Sequence, residues 1–291
     1  MQIQEVNLFV LNSVKNLSQF AVGFGLGVAT FGYTYNVVNV ILAVLSLLLT
    51  YTASYFYNDI VDLSEDKKDP FKLRFKPIAR GDLKVETAKI LMIIFSITGI
   101  ALSLIISFEF FAVIIILTTL NFVYSSPYTR FKKSVPTFAF TIFLLEFFKF
   151  TTGWLSVVSS FAAFPLIFLS TMSMLYVFFV YVYKKKLSPE QLLRDYIVFL
   201  VVGTGIILYA ISVLIYPYKF QLIISPSLFL LILVPWFIYG RRNFFFEQTV
   251  YSMLIGVLIL FIVSAMLFVT PTGVFDPINA KISTLLSNAF S

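Results

Sequence analysis

Nine apolar runs divide the chain, and its polar residues collect between them. A helix needs about 20 apolar residues to cross the hydrocarbon core of a bilayer. The runs predict spans near 17–33, 36–57, 87–107, 110–126, 135–156, 162–183, 196–216, 222–239 and 249–269. The first is short and rich in glycine, with Gly23, Gly25 and Gly27. Those glycines suit close helix packing; a lone G-x-G-x-G inside an apolar run is a weak phosphate signal. The expected fold is an all-α polytopic membrane protein with one transmembrane domain over 1–291.

The polar segments give the orientation. With the N-terminus inside, the interior loops are 58–86, 127–134, 184–195 and 240–248. Together with Lys15 and Lys89 they hold 18 of the 21 basic residues. The other side holds only Lys219 and Lys281, and Lys149 lies within a span. This is the asymmetry of the positive-inside rule for nine helices with a cytoplasmic N-terminus. Residues 1–19 lack the basic n-region, short apolar core and cleavage site of a signal peptide, so the first span is expected to direct insertion. The expected location is the cell membrane, with the active site facing the cytoplasm.

Composition agrees. Hydrophobic residues make up 59% and charged residues 12%, with a mean hydropathy of +0.95; a soluble domain carries about 25% charged residues. The net charge of +7 is accounted for by topology and does not call for nucleic acid. There is no cysteine and no histidine. Thiolate nucleophiles, disulfides, and His- or Cys-ligated metals are thereby excluded. Any metal must be held by oxygen, which suits Mg²⁺ or Mn²⁺.

One interior loop concentrates the chemistry. Residues 58–69 hold four aspartates, Glu65 and Asn58, out of 14 acidic residues in the whole chain. If the second helix continues past Tyr57, then Asn58, Asp62 and Asp66 recur at i, i+4 and i+8 on one face, with Asp59 and Asp69 beside it. Such a face is an open half-cage for Mg²⁺, which takes one or two carboxylates and completes its shell with water and phosphate oxygens. Lys72, Arg74, Lys76 and Arg80 follow and supply an anion grip. The bland alternative is a solvated loop of mixed charge.

The segment Asn58-Asp59-x-x-Asp62-x-x-x-Asp66 resembles the N-D-x-x-D-x-x-x-D signature of the UbiA superfamily of intramembrane transferases. The resemblance implies nine helices in a bundle around a lipid-accessible cavity, with Mg²⁺-bound diphosphate at the cytoplasmic mouth. Asp69-Pro70-x-Lys72-x-Arg74-x-Lys76-Pro77-Ile78-Ala79-x-Gly81 is similar to the H-P-x-K-x-R-x-R-P-I-A-x-G run of the decaprenyl-phosphate phosphoribosyltransferase branch, with Asp69 in place of His and Lys76 in place of Arg. Weaker likenesses lie at Tyr124-Ser125 with Arg130 and Lys132, at Glu146 to Lys149, and at Pro235 to Arg242 with Tyr239, Gly240 and Arg241. Prenyl-transferring members usually carry a second D-x-x-x-D motif after helix 6. Here Lys184, Lys185 and Lys186 stand in that place, with Glu190 and Asp195 spaced five apart. Lysines bind phosphate directly, or they simply end a membrane helix.

The resulting expectation is a Mg²⁺-dependent (or Mn²⁺-dependent) transferase. Asn58, Asp59, Asp62 and Asp66 hold the metal on the diphosphate of a phosphorylated donor. Asp62, Asp66, Lys72 and Arg74 carry the catalysis. Lys72, Arg74, Lys76, Arg80, Tyr124, Arg130, Lys149, Lys184, Lys185 and Arg241 contact substrate. Lys149 has two readings, a local ion pair with Glu146 or a contact to phosphate or lipid head group. The expected reaction moves phosphoribose from phosphoribosyl diphosphate to a polyprenyl phosphate. Transfer of a prenyl group to an aromatic, glycerol-phosphate or haem acceptor is the alternative. A transporter or scaffold would spread charges through several spans, whereas only Glu146 and Lys149 lie clearly inside one.

Overall fold

The computed structural model describes Ser13 and residues 16–31, 35–73, 76–129, 131, 134–161, 163–185, 189–192 and 194–215. Among these residues every regular element is helical. The long helices are α1 (Leu17–Phe31), α2 (Val37–Val61), α6 (Val85–Ile106), α7 (Phe108–Ser125), α8 (Val135–Val158), α9 (Leu166–Lys185) and α11 (Tyr196–Ile215). Single-turn helices α3 (Leu63–Asp66), α4 (Pro70–Leu73) and α5 (Pro77–Arg80) follow α2, and α10 (Pro189–Leu192) follows α9.

Among the described residues five helices, α2, α6, α7, α8 and α11, are long and apolar enough to cross a membrane. The expected first and sixth spans appear as shorter apolar stretches, Gln19–Val28 and Leu166–Val182. The sixth starts later than its apolar run because Ala163 adopts a left-handed φ of 51° and Pro165 precedes the first helical residue. The expected spans 222–239 and 249–269 lie outside the described residues.

Local chemistry sets the boundaries. Asn36 caps α2 by accepting the Val38 amide at 2.9 Å. Ser107 is extended (φ −169°), and its hydroxyl accepts the Phe110 amide at 3.1 Å. One residue thus ends α6 and starts α7, where two were expected. A proline in the first turn opens α8, and Ser159 at φ 55° closes it.

The chain forms two compact units. One comprises Met1–Phe24 and Thr34–Ala162, the other Gly25–Tyr33 and Ala163–Ser291. In the first unit α2 packs against α6, α7 and α8, and α7 packs against both α6 and α8. The outer face of α6 carries Ile90, Ile93, Ile94 and Ile97, each about half exposed or more. That spacing of i, i+3, i+4 and i+7 is one helical stripe, and so much bare aliphatic surface suits lipid rather than water. The inner faces are held by small and hydroxyl residues. The Ser46 hydroxyl donates to the Gly99 carbonyl of α6 at 2.7 Å. Where α1 crosses α8, a Cβ on Gly23 would lie 1.8 Å from the Phe150 carbonyl oxygen, and one on Gly153 would lie 1.9 Å from that of Phe20. Only glycine permits this approach, which bears out the packing role read for Gly23.

In the second unit α9 packs along α11. Asp195 caps α11 by accepting the Ile197 amide at 2.9 Å, and its other oxygen accepts the Tyr181 hydroxyl at 2.8 Å. Its carboxylate is therefore a structural cap.

Candidate functional site

The second helix does continue past Tyr57, to Val61, and Asp62 then joins it to α3. The amide of Asp62 bonds the Asn58 carbonyl at 2.9 Å, and the amide of Asp66 bonds the Asp62 carbonyl at 2.8 Å. The i, i+4, i+8 ladder thus runs through the junction. At its start the Asn58 side-chain oxygen accepts the hydroxyl of Ser125, the last residue of α7, at 3.1 Å. Tyr124, beside it, packs its ring at a tilt against Phe138 of α8 and lies within electrostatic reach of Asp62.

The segment expected as a loop folds back onto this ladder. Lys76 precedes Pro77 and is extended (φ −111°, ψ 98°), as a residue before proline must be. Pro77 opens α5, and Gly81 at φ 90° ends it, with the amides of Gly81 and Asp82 both bonded to the Pro77 carbonyl. Ile78 and Leu83 are buried against Phe56 of α2 and Ala88 of α6. The run from Pro77 to Ala79 is therefore an apolar plug that fixes where Lys76 stands. Sequence reasoning took it only as a family signature and missed this role. The signal available was the pair of apolar residues in an otherwise charged loop.

With its backbone pinned, Lys76 reaches two carboxylates. Its Nζ lies 2.6 Å from Asp66 Oδ2 and 2.9 Å from Asp59 Oδ1. Lys72 Nζ lies 2.8 Å from the other oxygen of Asp66. The Asp66 side chain is wholly buried, so both of its oxygens are given to ammonium groups. A buried carboxylate needs such compensation. Burial pushes the Lys76 ammonium down, but Asp59 and Asp66 together outweigh it and hold the group above the ordinary lysine value.

The other predicted residues fall as follows. Arg80 pairs with Asp82. Lys149 is buried in α8, where its Nζ donates to Glu146 Oε1 at 2.7 Å and to Asn16 Oδ1 at 3.2 Å, and sits over the Tyr51 ring at 5.6 Å. Gln19 donates to the other Glu146 oxygen at 2.6 Å. The local ion pair is thus present. Its partners Gln19 of α1 and Asn16 just before it, which tie this end of α1 to α8, were not foreseen. Lys184 and Lys185 form the C-terminal end of α9 in the second unit. Arg74, Arg130, Lys186 and Arg241 lie outside the described residues.

Asn58, Asp59 and Asp62 present oxygen donors of the kind a hard divalent cation takes. Among the described residues no group of three or more Asp, Glu, His or Cys side chains is gathered as a ready-made metal cage. A carboxylate pair and an amide suffice for Mg²⁺ when phosphate and water complete its shell, so the donor set fits.

The model of the UbiA prenyltransferase family matches residues 18–191. Solved structures share the fold. A UbiA homologue from Archaeoglobus fulgidus bound to GPP and Mg²⁺ is 21% identical, with a TM-score of 0.68 over 92% of this chain and 100% of its own. A UbiA homologue from Aeropyrum pernix K1 is 15% identical, with a TM-score of 0.65 over 86% of this chain and 97% of its own. A digeranylgeranylglyceryl phosphate synthase is 17% identical, with a TM-score of 0.58 over 92% of this chain and 98% of its own. No curated protein matches the chain by sequence.

Proposed function

The chain belongs to the UbiA prenyltransferase family, and from that premise we propose that it is a Mg²⁺-dependent membrane transferase acting on a diphosphate donor and a polyprenyl lipid. The observation that carries the reading is the interleaving of Asp59 and Asp66 with Lys72 and Lys76 at the end of a membrane-length helix, next to Asn58 and Asp62. Carboxylates for a cation and ammonium groups for phosphate meet in one place. The UbiA homologue from Archaeoglobus fulgidus, which shares the fold, is solved bound to Mg²⁺ with GPP or with DMAPP. The excess of Lys and Arg in the loops on this side supports a cytoplasmic site in the cell membrane.

The donor favoured is phosphoribosyl diphosphate and the acceptor a polyprenyl phosphate. Support comes from the basic run through Lys76-Pro77-Ile78-Ala79 and from the lysines at 184–186 in place of a second aspartate pair. Asn58, Asp59, Asp62 and Asp66 would hold Mg²⁺, which supplies charge neutralisation to the departing diphosphate. Lys72 and Lys76 bind the phosphate oxygens and orient the donor. A phosphate oxygen of the lipid forms the new bond to the anomeric carbon as the bond to pyrophosphate breaks, and the electron pair leaves with pyrophosphate. The nucleophile is already ionised, so no side chain need take its proton. Ser125 keeps the Asn58 amide oriented.

Prenyl transfer is the second reading, favoured by the GPP and DMAPP bound to the Archaeoglobus fulgidus homologue. Membranes containing the protein, incubated with Mg²⁺, labelled phosphoribosyl diphosphate and polyprenyl phosphate, should yield lipid-linked label, and a chelator should abolish it. Absence of that label, with pyrophosphate released from geranylgeranyl diphosphate instead, would replace the first reading by the second.

A further inference from the structure

We propose that Lys76, assisted by Lys72, makes the carboxylate site accept a divalent cation only together with a diphosphate. The inference rests on the reading above, that this site takes both.

The geometry is a competition for lone pairs. Both oxygens of Asp66 lie against ammonium groups, at 2.8 Å from Lys72 and 2.6 Å from Lys76, and Lys76 also lies 2.9 Å from Asp59. A cation approaching Asp66 meets two ammonium groups on the oxygens it needs, and one approaching Asp59 meets that of Lys76. It can bind those oxygens only if the lysines give them up. A half-buried ammonium released from a carboxylate needs another anion.

A diphosphate supplies one. Its oxygens can receive the ammonium groups while the cation takes the carboxylates, so every charge keeps an opposite partner throughout the exchange. The two lysines are not equivalent in this. The Lys72 side chain is 41% exposed and touches one carboxylate, whereas that of Lys76 is 22% exposed and bridges two. Lys76 is also the residue whose backbone is pinned by the α5 plug, with Ile78 buried immediately after Pro77. Its ammonium can change partner by side-chain rotation alone, with no movement of α5. The coupling is reciprocal: whatever factor diphosphate adds to metal affinity, metal adds to diphosphate affinity.

Equilibrium dialysis of the purified full chain in detergent tests this, using Mn²⁺ alone and Mn²⁺ with saturating pyrophosphate. The wild type should retain Mn²⁺ at least about tenfold more tightly with pyrophosphate than without. Lys76→Met and Lys76→Gln should bind Mn²⁺ alone about tenfold more tightly than the wild type, and lose most of the pyrophosphate effect. Lys72→Met should move the same way by a smaller factor. Thermal midpoints identify folded variants; if neither Lys76 variant folds, Lys72→Met decides. Mn²⁺-alone affinity within twofold of wild type in the deciding folded variant overturns the inference. So does a wild type that holds Mn²⁺ equally well with and without pyrophosphate. If the wild type holds no Mn²⁺ under either condition, the metal–diphosphate reading falls, and this inference with it.

Discussion

Replacing Lys149 by Met should cost far more stability than replacing Lys149 and Glu146 together. Their side chains are 5% and 9% exposed, and Nζ lies 2.7 Å from Oε1. At an effective dielectric constant near 20 the Coulomb attraction at that distance is roughly 6 kcal/mol. Desolvation of several kcal/mol per ion offsets most of it, so the pair is worth little against a neutral replacement. Removing only the cation is different. It leaves the Glu146 carboxylate buried, with the Gln19 amide as its remaining donor among the bonds described, at a cost of about 3–5 kcal/mol. In Lys149→Met/Glu146→Gln the new amide still accepts from Gln19, and at least about 2 kcal/mol should return. Reversible unfolding in mixed micelles can be followed by the fluorescence of Trp154, which is buried in the same helix. A double variant as unstable as the sum of the two singles would refute the reasoning. A double variant of restored stability that has lost donor affinity would show that Lys149 also touches substrate.

The remaining predictions use other parts of the molecule. Asp62→Ala should lower transfer by at least about 10²-fold; full activity would remove Asp62 from the site. Gly153→Ala should destabilise the protein by about 3 kcal/mol or more, since its Cβ would lie 1.9 Å from the Phe20 carbonyl oxygen. Gly203→Ala, which meets nothing within 4 Å, should not. Equal midpoints for the two would deny the close crossing of α1 and α8. Because Asp59 and Asp66 hold the Lys76 ammonium above its ordinary value, its contribution to stability should be complete below about pH 10.4 and be lost as pH rises through the higher folded value. Stability measured against pH should show this alkaline decline in the wild type and not in Lys76→Met.

Several features were legible in the chain because they are local. Among the described residues five helices of membrane-crossing length and two shorter apolar ones lie where apolar runs predicted spans, since insertion into lipid depends on the hydropathy of a contiguous segment. The continuation of the second helix through Asn58 and Asp62 was likewise legible, because i, i+4 spacing is a property of one helix. The absence of cysteine and histidine by itself confined any metal to oxygen ligands. Apart from the local pair of Lys149 with Glu146, the partners of the charges were not legible. That Lys76 bridges Asp59 and Asp66 while Arg80 turns to Asp82 follows from the α5 turn and from the burial of Ile78 and Leu83 against Phe56 and Ala88. That Lys149 is held by Asn16 as well as Glu146 follows from the glycine-permitted crossing of α1 and α8. Sequence alone determined which residues carry charge and which segments favour lipid. Tertiary structure decided which charges neutralise one another, because an ion pair forms across distances that only packing sets.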